Sequence, residues 1–232
     1  MKNKGLKDIM NFRDYDRKFW LVVEQGNKKI KDLHLPFYRN AFLCYSYYTP
    51  NGKGYIKESL IFEALFEAVY IDGEYTITPH ELFDLTVNMY TKAQLEGYKI
   101  IPIDNKAINI ALDWFIKSVN NEFYSDDIVA TRDIRYIDEF RREDNPDILK
   151  GLLTDMKTFE NVWIKIEKLE KIINEDTYVF SCEILSEPFN IKGIHKGDKT
   201  LAFALKQNDD KICVCTIGVS EIEDIRKTLK LI

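Results

Sequence analysis

Between residues 55 and 120 the apolar positions recur at helical spacing. Leu60, Ile61, Ala64, Leu65, Ala68 and Val69 fall at i, i+1, i+4, i+5, i+8 and i+9, which is one stripe along a helix. Thr78-Pro79-His80-Glu81 then supplies an N-cap, a proline at N1 and a glutamate at N3. Leu82, Leu85, Met89 and Ala93 continue as one face up to Gly97, where a C-terminal glycine belongs. A further helix is expected after Asp104, burying Ile108, Ala111, Leu112, Phe115 and Val119. The short β-branched run Tyr98 to Ile103 reads as a strand between these two helices. Upstream, residues 17–33 suggest a β-hairpin around Gly26-Asn27, with a helix as the alternative. Downstream, Ile134, Ile137 and Phe140 suggest a short helix. Asn145-Pro146-Asp147 looks like a helix start, followed by Ile148, Leu149, Leu152, Leu153 and Met156.

After Thr158 the period changes from 3.6 to 2. Val162, Ile164 and Ile166 share one face, and Tyr178, Phe180, Cys182 and Ile184 share another. Leu201, Phe203 and Leu205 alternate in the same way. Asn208-Asp209-Asp210 marks a turn into Ile212-Cys213-Val214-Cys215, apolar on both faces and so expected at the centre of a sheet. Ser220-Glu221-Ile222-Glu223 caps a terminal amphipathic helix. The expected fold is therefore α+β. Residues 1–158 form a mostly helical part with a hairpin near the N-terminus, and residues 159–232 form a small antiparallel β-rich module with a C-terminal helix.

Composition narrows the class. A 45% hydrophobic, 31% charged chain with few glycines and prolines has the make-up of a folded domain. No apolar stretch approaches bilayer length, and the basic start Met1-Lys2-Asn3-Lys4 has no apolar run behind it, so a cytoplasmic protein with no membrane partner is expected. Cys44, Cys182, Cys213 and Cys215 lack zinc-ligand spacing and read as free, buried thiols. Residues 1–40 carry ten Lys/Arg against five Asp/Glu, but the whole chain has a net charge of −5, which does not favour nucleic acid.

Motifs of known chemistry fail on inspection. Tyr70 to Glu81 has the outline of a calcium loop but places Tyr70 at a ligand position and Tyr75 where glycine is required. Pro50-Asn51-Gly52-Lys53-Gly54 lacks the spacing and hydroxyl of a phosphate loop. His34, His80 and His195 lie in unrelated segments, and no serine sits in a nucleophile elbow. Glu167-Lys168 with Glu183 could serve a metal-dependent nuclease, and this, or another hydrolase without a recognisable motif, is the alternative reading. No catalytic, cofactor-binding or metal-binding residue and no cofactor is expected.

Two segments stand out as partner surfaces. Residues 122–147 carry nine acids against Arg132, Arg135, Arg141 and Arg142. Asp126, Asp127, Asp133, Asp138, Glu139, Glu143 and Asp144 are the candidates for docking on another protein with a basic surface, such as a nucleic-acid groove; the alternative is a solvated helix with internal ion pairs. Tyr45, Tyr47 and Tyr48 offer large, rigid contact area, or else line the core.

Val162-Trp163-Ile164-Lys165-Ile166, then Glu187-Pro188-Phe189, then Lys196-Gly197-Asp198 before an apolar strand together resemble the YegJ-like bacterial domains, some of which are grouped with toxin-immunity proteins. The resemblance spans about a quarter to a third of the chain and carries no catalytic residue. With no nucleophile–base set, metal cluster or cofactor loop in the sequence, the expected function is that of a non-catalytic binding or inhibitor protein of a bacterial or phage conflict system, of immunity or anti-defence type, acting by stoichiometric protein binding.

Overall fold

The computed structural model describes residues 12–35, 39–49, 60–78, 88–104, 106–142, 144–155, 157–206, 212–216, 222–228 and 230. The chain divides into two compact units, Met1–Ser118 and Val119–Ile232. The change of period near residue 158 falls inside the second unit.

The first unit is built on an antiparallel sheet, which overturns the expectation of a mostly helical N-terminal part. Its strands are β1 (Lys18–Val23), β2 (Ala41–Tyr48), β3 (Leu60–Ile71), β4 (Glu74–Thr78), β5 (Met89–Thr91) and β6 (Lys99–Ile103). Their order is β4-β3-β2-β1-β6, and β5 also pairs with β3. The stripe at residues 60–69 belongs to β3. Its helical appearance comes from a bulge: Cys44 pairs with Ala64 and Leu43 with Phe66, so Leu65 is the extra residue. One surplus residue exchanges the two faces. Leu60, Phe62 and Ala64 enter the core beneath Trp20 and Phe42, whereas beyond the bulge Ala68 and Tyr70 join Leu21 and Ala41 on the opposite face. Glu63 and Glu67, spaced like the polar side of a helix, are both buried. Tyr47 Oη donates to Glu63 Oε2 at 2.7 Å, and Arg39 lies 3.8 Å from Glu67.

Asp72-Gly73 forms the β3–β4 turn with φ of +51° and +96°, the backbone of a two-residue hairpin that asparagine or aspartate followed by glycine adopts readily. The helix read over 78–97 falls partly on residues 79–87, outside the described residues; its described remainder is β5 and a turn. Gly97, at φ +87°, ends that turn, and a Cβ there would meet Lys28 Cε at 3.0 Å. The strand β6 and the helices after it, α1 (Lys106–Ala111) and α2 (Asp113–Phe123), follow the expected pattern. Leu112, Phe115 and Val119 are buried, whereas Ala111 is exposed. The hairpin expected at 17–33 is replaced: β1 pairs with β2 and β6, and after Gly26-Asn27 the chain makes a 3-10 turn, Ile30–Leu33.

The second unit takes in the end of α2, then α3 (Asp126–Asp133) and a 3-10 turn, Arg135–Phe140. Strands β7 (Arg141–Arg142), β8 (Asn145–Thr154), β9 (Phe159–Asn174), β10 (Thr177–Ile184), β11 (Lys199–Lys206) and β12 (Ile212–Thr216) follow, then α4 (Ile222–Thr228). The helix expected from Asn145 is strand β8. Its Leu149 and Leu153 face inward while Ile148 and Leu152 are half-covered on the other side, so apolar residues on both faces imitated a helical period. β8 to β11 form an antiparallel meander, and β12 pairs with both β11 and β8. In a five-strand meander the first and last strands run the same way, so the closing pair must be parallel, and Cys215 and Thr216 pair in parallel with Leu152 and Leu153. The result is a closed barrel packed with Leu149, Val162, Ile164, Phe180, Ile184 and Ala202. β12 has a neighbour on each side, the central place in the sheet expected of it. Among the described residues no helix is long and apolar enough to cross a membrane.

Candidate binding surfaces

The acidic segment is not a charged loop. It is α3 and the following 3-10 turn, fastened to the barrel by its arginines. Ser125 Oγ caps α3 by accepting from Ile128 N at 3.3 Å. Asp126 and Asp127 occupy the first turn, where the helix dipole favours acids. Arg132 turns inward. Its Nε donates to Asp147 Oδ1 at 2.8 Å and its Nη2 to Asp147 Oδ2 at 2.5 Å, and both side chains are 1% exposed. The guanidinium also lies 4.5 Å above the Tyr124 ring. Arg141 is buried beside it, donating to the carbonyls of Pro146 at 2.6 Å and Thr131 at 2.5 Å and to Asp138 Oδ1 at 3.0 Å. Burial lowers the Arg141 pKa to about 10, opposed by Asp138, so the group stays charged at neutral pH.

These contacts sort the predicted site residues. Asp138 is tied to Arg141, and Asp144 pairs with Arg142 at 2.6 Å. Glu143 lies outside the described residues. Asp126, Asp133 and Glu139 are exposed and Asp127 half-exposed; Arg135 is exposed too, as is Arg142, which Asp144 holds. Arg132 is buried with Asp147, Arg141 is held by Asp138 and Arg142 by Asp144, so these pairs offset one another and the four remaining acids stand against Arg135. Sequence counting gives the net acidic excess but not which acids the arginines take up.

Tyr45, Tyr47 and Tyr48 are buried in β2. Tyr45 packs on Phe19, with ring centroids 4.7 Å apart, and on Phe115 at 5.8 Å. They are core residues of the first unit, not an available surface, because β2 is covered on both faces. The phosphate-loop-like stretch at 50–54 lies outside the described residues. The first unit also has a shallow cleft of about 280 Å3, lined by Lys28, Asp32, His34, Tyr90, Gln94 and Tyr98. Its two tyrosine hydroxyls are spent on the carbonyls of Leu33 and Lys29.

The barrel carries a feature that sequence reading missed. The segment after β10 is pinned against β9 by carboxylates. Glu160 accepts from Phe189 N at 2.7 Å and Asn190 N at 2.8 Å. Glu187 accepts from Lys196 N at 2.9 Å and holds His195 Nδ1 at 2.9 Å, and Asp198 accepts from His195 N at 2.7 Å. Those bonds hold Glu160 and Glu187 below the usual carboxylate range, and Glu187 raises His195 above the usual histidine value. The segment after β10 thus meets β9, with Trp163 N bonded to Ser186 Oγ at 3.0 Å. Phe159, Trp163 and Phe189 stand out from this end of the barrel at 63%, 38% and 81% exposure. The signal in the sequence was phase: Phe159 and Trp163 have the opposite parity to Val162, Ile164 and Ile166.

Among the described residues no group of three or more His, Cys, Asp or Glu could hold a metal ion. No family model matches the chain, and no curated protein or solved structure is significantly similar to it.

Proposed function

We propose that this is a non-catalytic protein that binds another protein stoichiometrically, of the immunity or anti-defence type, and that it acts in the cytoplasm. One observation carries the reading: Asp147, Asp138 and Asp144 take up Arg132, Arg141 and Arg142, so the described candidate acids left are exposed Asp126, Asp133 and Glu139 and half-exposed Asp127, against Arg135. Such a face attracts a basic surface on a partner, speeds association and weakens with salt. The buried bidentate pair fixes the segment to the barrel, so little ordering cost is incurred on docking. The sequence likeness of Val162–Ile166, Glu187–Phe189 and Lys196–Asp198 to domains grouped with toxin-immunity proteins points to the same class. The test is affinity capture from the native host with the wild type and a variant carrying Asp126→Asn, Asp127→Asn, Asp133→Lys and Glu139→Lys. A basic protein retained by the first and lost by the second supports the proposal. Equal retention, or catalytic turnover by the wild type, overturns it.

A further inference from the structure

The outer face of the barrel has a different character from the acidic segment. Phe159 and Trp163 lie four residues apart on the same face of β9, about 13 Å along the strand. Phe189, 81% exposed, is tied to the start of β9 because its amide donates to Glu160, the neighbour of Phe159 in sequence. A lysine accompanies each ring. Lys157 precedes Phe159 by two residues. Lys150 stands opposite Trp163 in the β8–β9 register, and Lys165 opposite Ile148 is the next outward position. Lys192 Nζ donates to the Phe189 carbonyl at 3.2 Å. Lys150, Lys157 and Lys192 are exposed.

Most acids of the region accept from backbone amides, and those bonds keep them ionised, so they offset part of the lysine charge. Asp155 accepts from Lys157 N at 2.9 Å and Thr158 N at 2.6 Å, and Glu160 and Glu187 are bound as described above. Glu183 stands in register between Lys165 and Lys199.

We propose that this face binds single-stranded nucleic acid, with Phe159, Trp163 and Phe189 stacking on bases and the adjacent lysines tracking the phosphates. Lysine is depleted from the centres of protein interfaces, whereas exposed rings interleaved with cations are how strands are bound without sequence preference. A duplex hides its base faces, so a single strand fits. The net charge of −5 opposes a polyanion, so stacking supplies much of the affinity and the salt dependence is shallow. With three or four phosphates contacted, the slope of log K against log salt is roughly −2 to −3.

The test uses the full chain and a labelled oligothymidylate of about fifteen nucleotides, followed by fluorescence anisotropy at about 50 mM salt. Trp163→Ala and Phe189→Ala should each weaken binding by about tenfold. Phe189 is so exposed that its removal leaves the fold intact, which circular dichroism verifies. Lys150→Glu with Lys157→Glu should flatten the salt slope. The acidic-face variant should bind the oligonucleotide at least as well as wild type, which separates this proposal from the protein-binding one. No anisotropy change, aromatic variants that bind like wild type, or equal competition by polyglutamate would overturn it. So would a Trp163→Ala variant that loses a protein partner while keeping the oligonucleotide.

Discussion

Replacing Asp147 by alanine removes the carboxylate that binds Arg132 through both oxygens, at 2.8 and 2.5 Å, where each side chain is 1% exposed. Water cannot replace the carboxylate there, so a buried guanidinium loses its counter-charge. The expected cost is about 3–5 kcal/mol, or on the order of 10–20 °C in Tm for a unit of about 110 residues. Because the chain has two units, a single melting curve need not be two-state. Hydrogen exchange resolved by peptide is the better assay, read on β8 and β9 against β2 and β3. The loss should fall on the second unit and leave the first unchanged. The double variant Arg132→Met/Asp147→Leu should recover most of it, since an apolar pair of similar volume avoids the desolvation of both charges. A cost below about 1 kcal/mol for Asp147→Ala, or a double variant as unstable as the single, would refute the claim that this pair fastens the acidic segment.

Other consequences can be measured independently. Cys44 and Cys182 are free and buried, and burial raises both thiols well above the usual range, so alkylation of their peptides should be slow in native protein and immediate in denaturant. His195 should titrate above the ordinary histidine value by NMR, and Glu187→Gln should return it; the stabilisation by a charged His195 is present below its unfolded pKa and fades as pH rises through the folded one. The Glu187 contribution has the opposite sign, present above its unfolded pKa and lost as pH falls through the depressed folded value. Gly97→Ala, forced to φ +87° against Lys28, should cost about 1–2 kcal/mol in urea unfolding, and an unchanged midpoint would contradict the geometry. A Cβ at Gly151 would lie 3.3 Å from Ile164 Cδ1, so Gly151→Ala should destabilise by about 1 kcal/mol and be relieved by Ile164→Val.

Much of the second unit was legible because its strands alternate cleanly: Val162, Ile164 and Ile166 face the barrel core as their period requires. The first unit was misread for identifiable reasons. The bulge at Leu65 shifts the alternation within β3, and β2 is buried on both sides, so neither strand displays period 2. Asn145-Pro146-Asp147 has the chemistry of a helix cap, but Asp147 is claimed by Arg132, a partner fifteen residues away that no local window can see. The acidic segment was legible as a charge excess. Its separation into buried arginines and outward acids was not, because it depends on where the barrel stands. The exposed aromatics of the barrel were hidden for the same reason: strand phase alone does not reveal that Glu160 holds the Phe189 amide.

The central claim is that the outward acids steer a basic partner. The most direct measurement is the association rate of the captured partner against ionic strength, for wild type and for the Asp126→Asn/Asp127→Asn/Asp133→Lys/Glu139→Lys variant. These substitutions spare the Ser125 cap and the Arg132–Asp147 pair, and lysine at position 133 suits the C-terminal end of α3. The account predicts that wild type associates about tenfold or more faster at low salt and that the two rates converge as salt rises. Equal rates at low salt would contradict it.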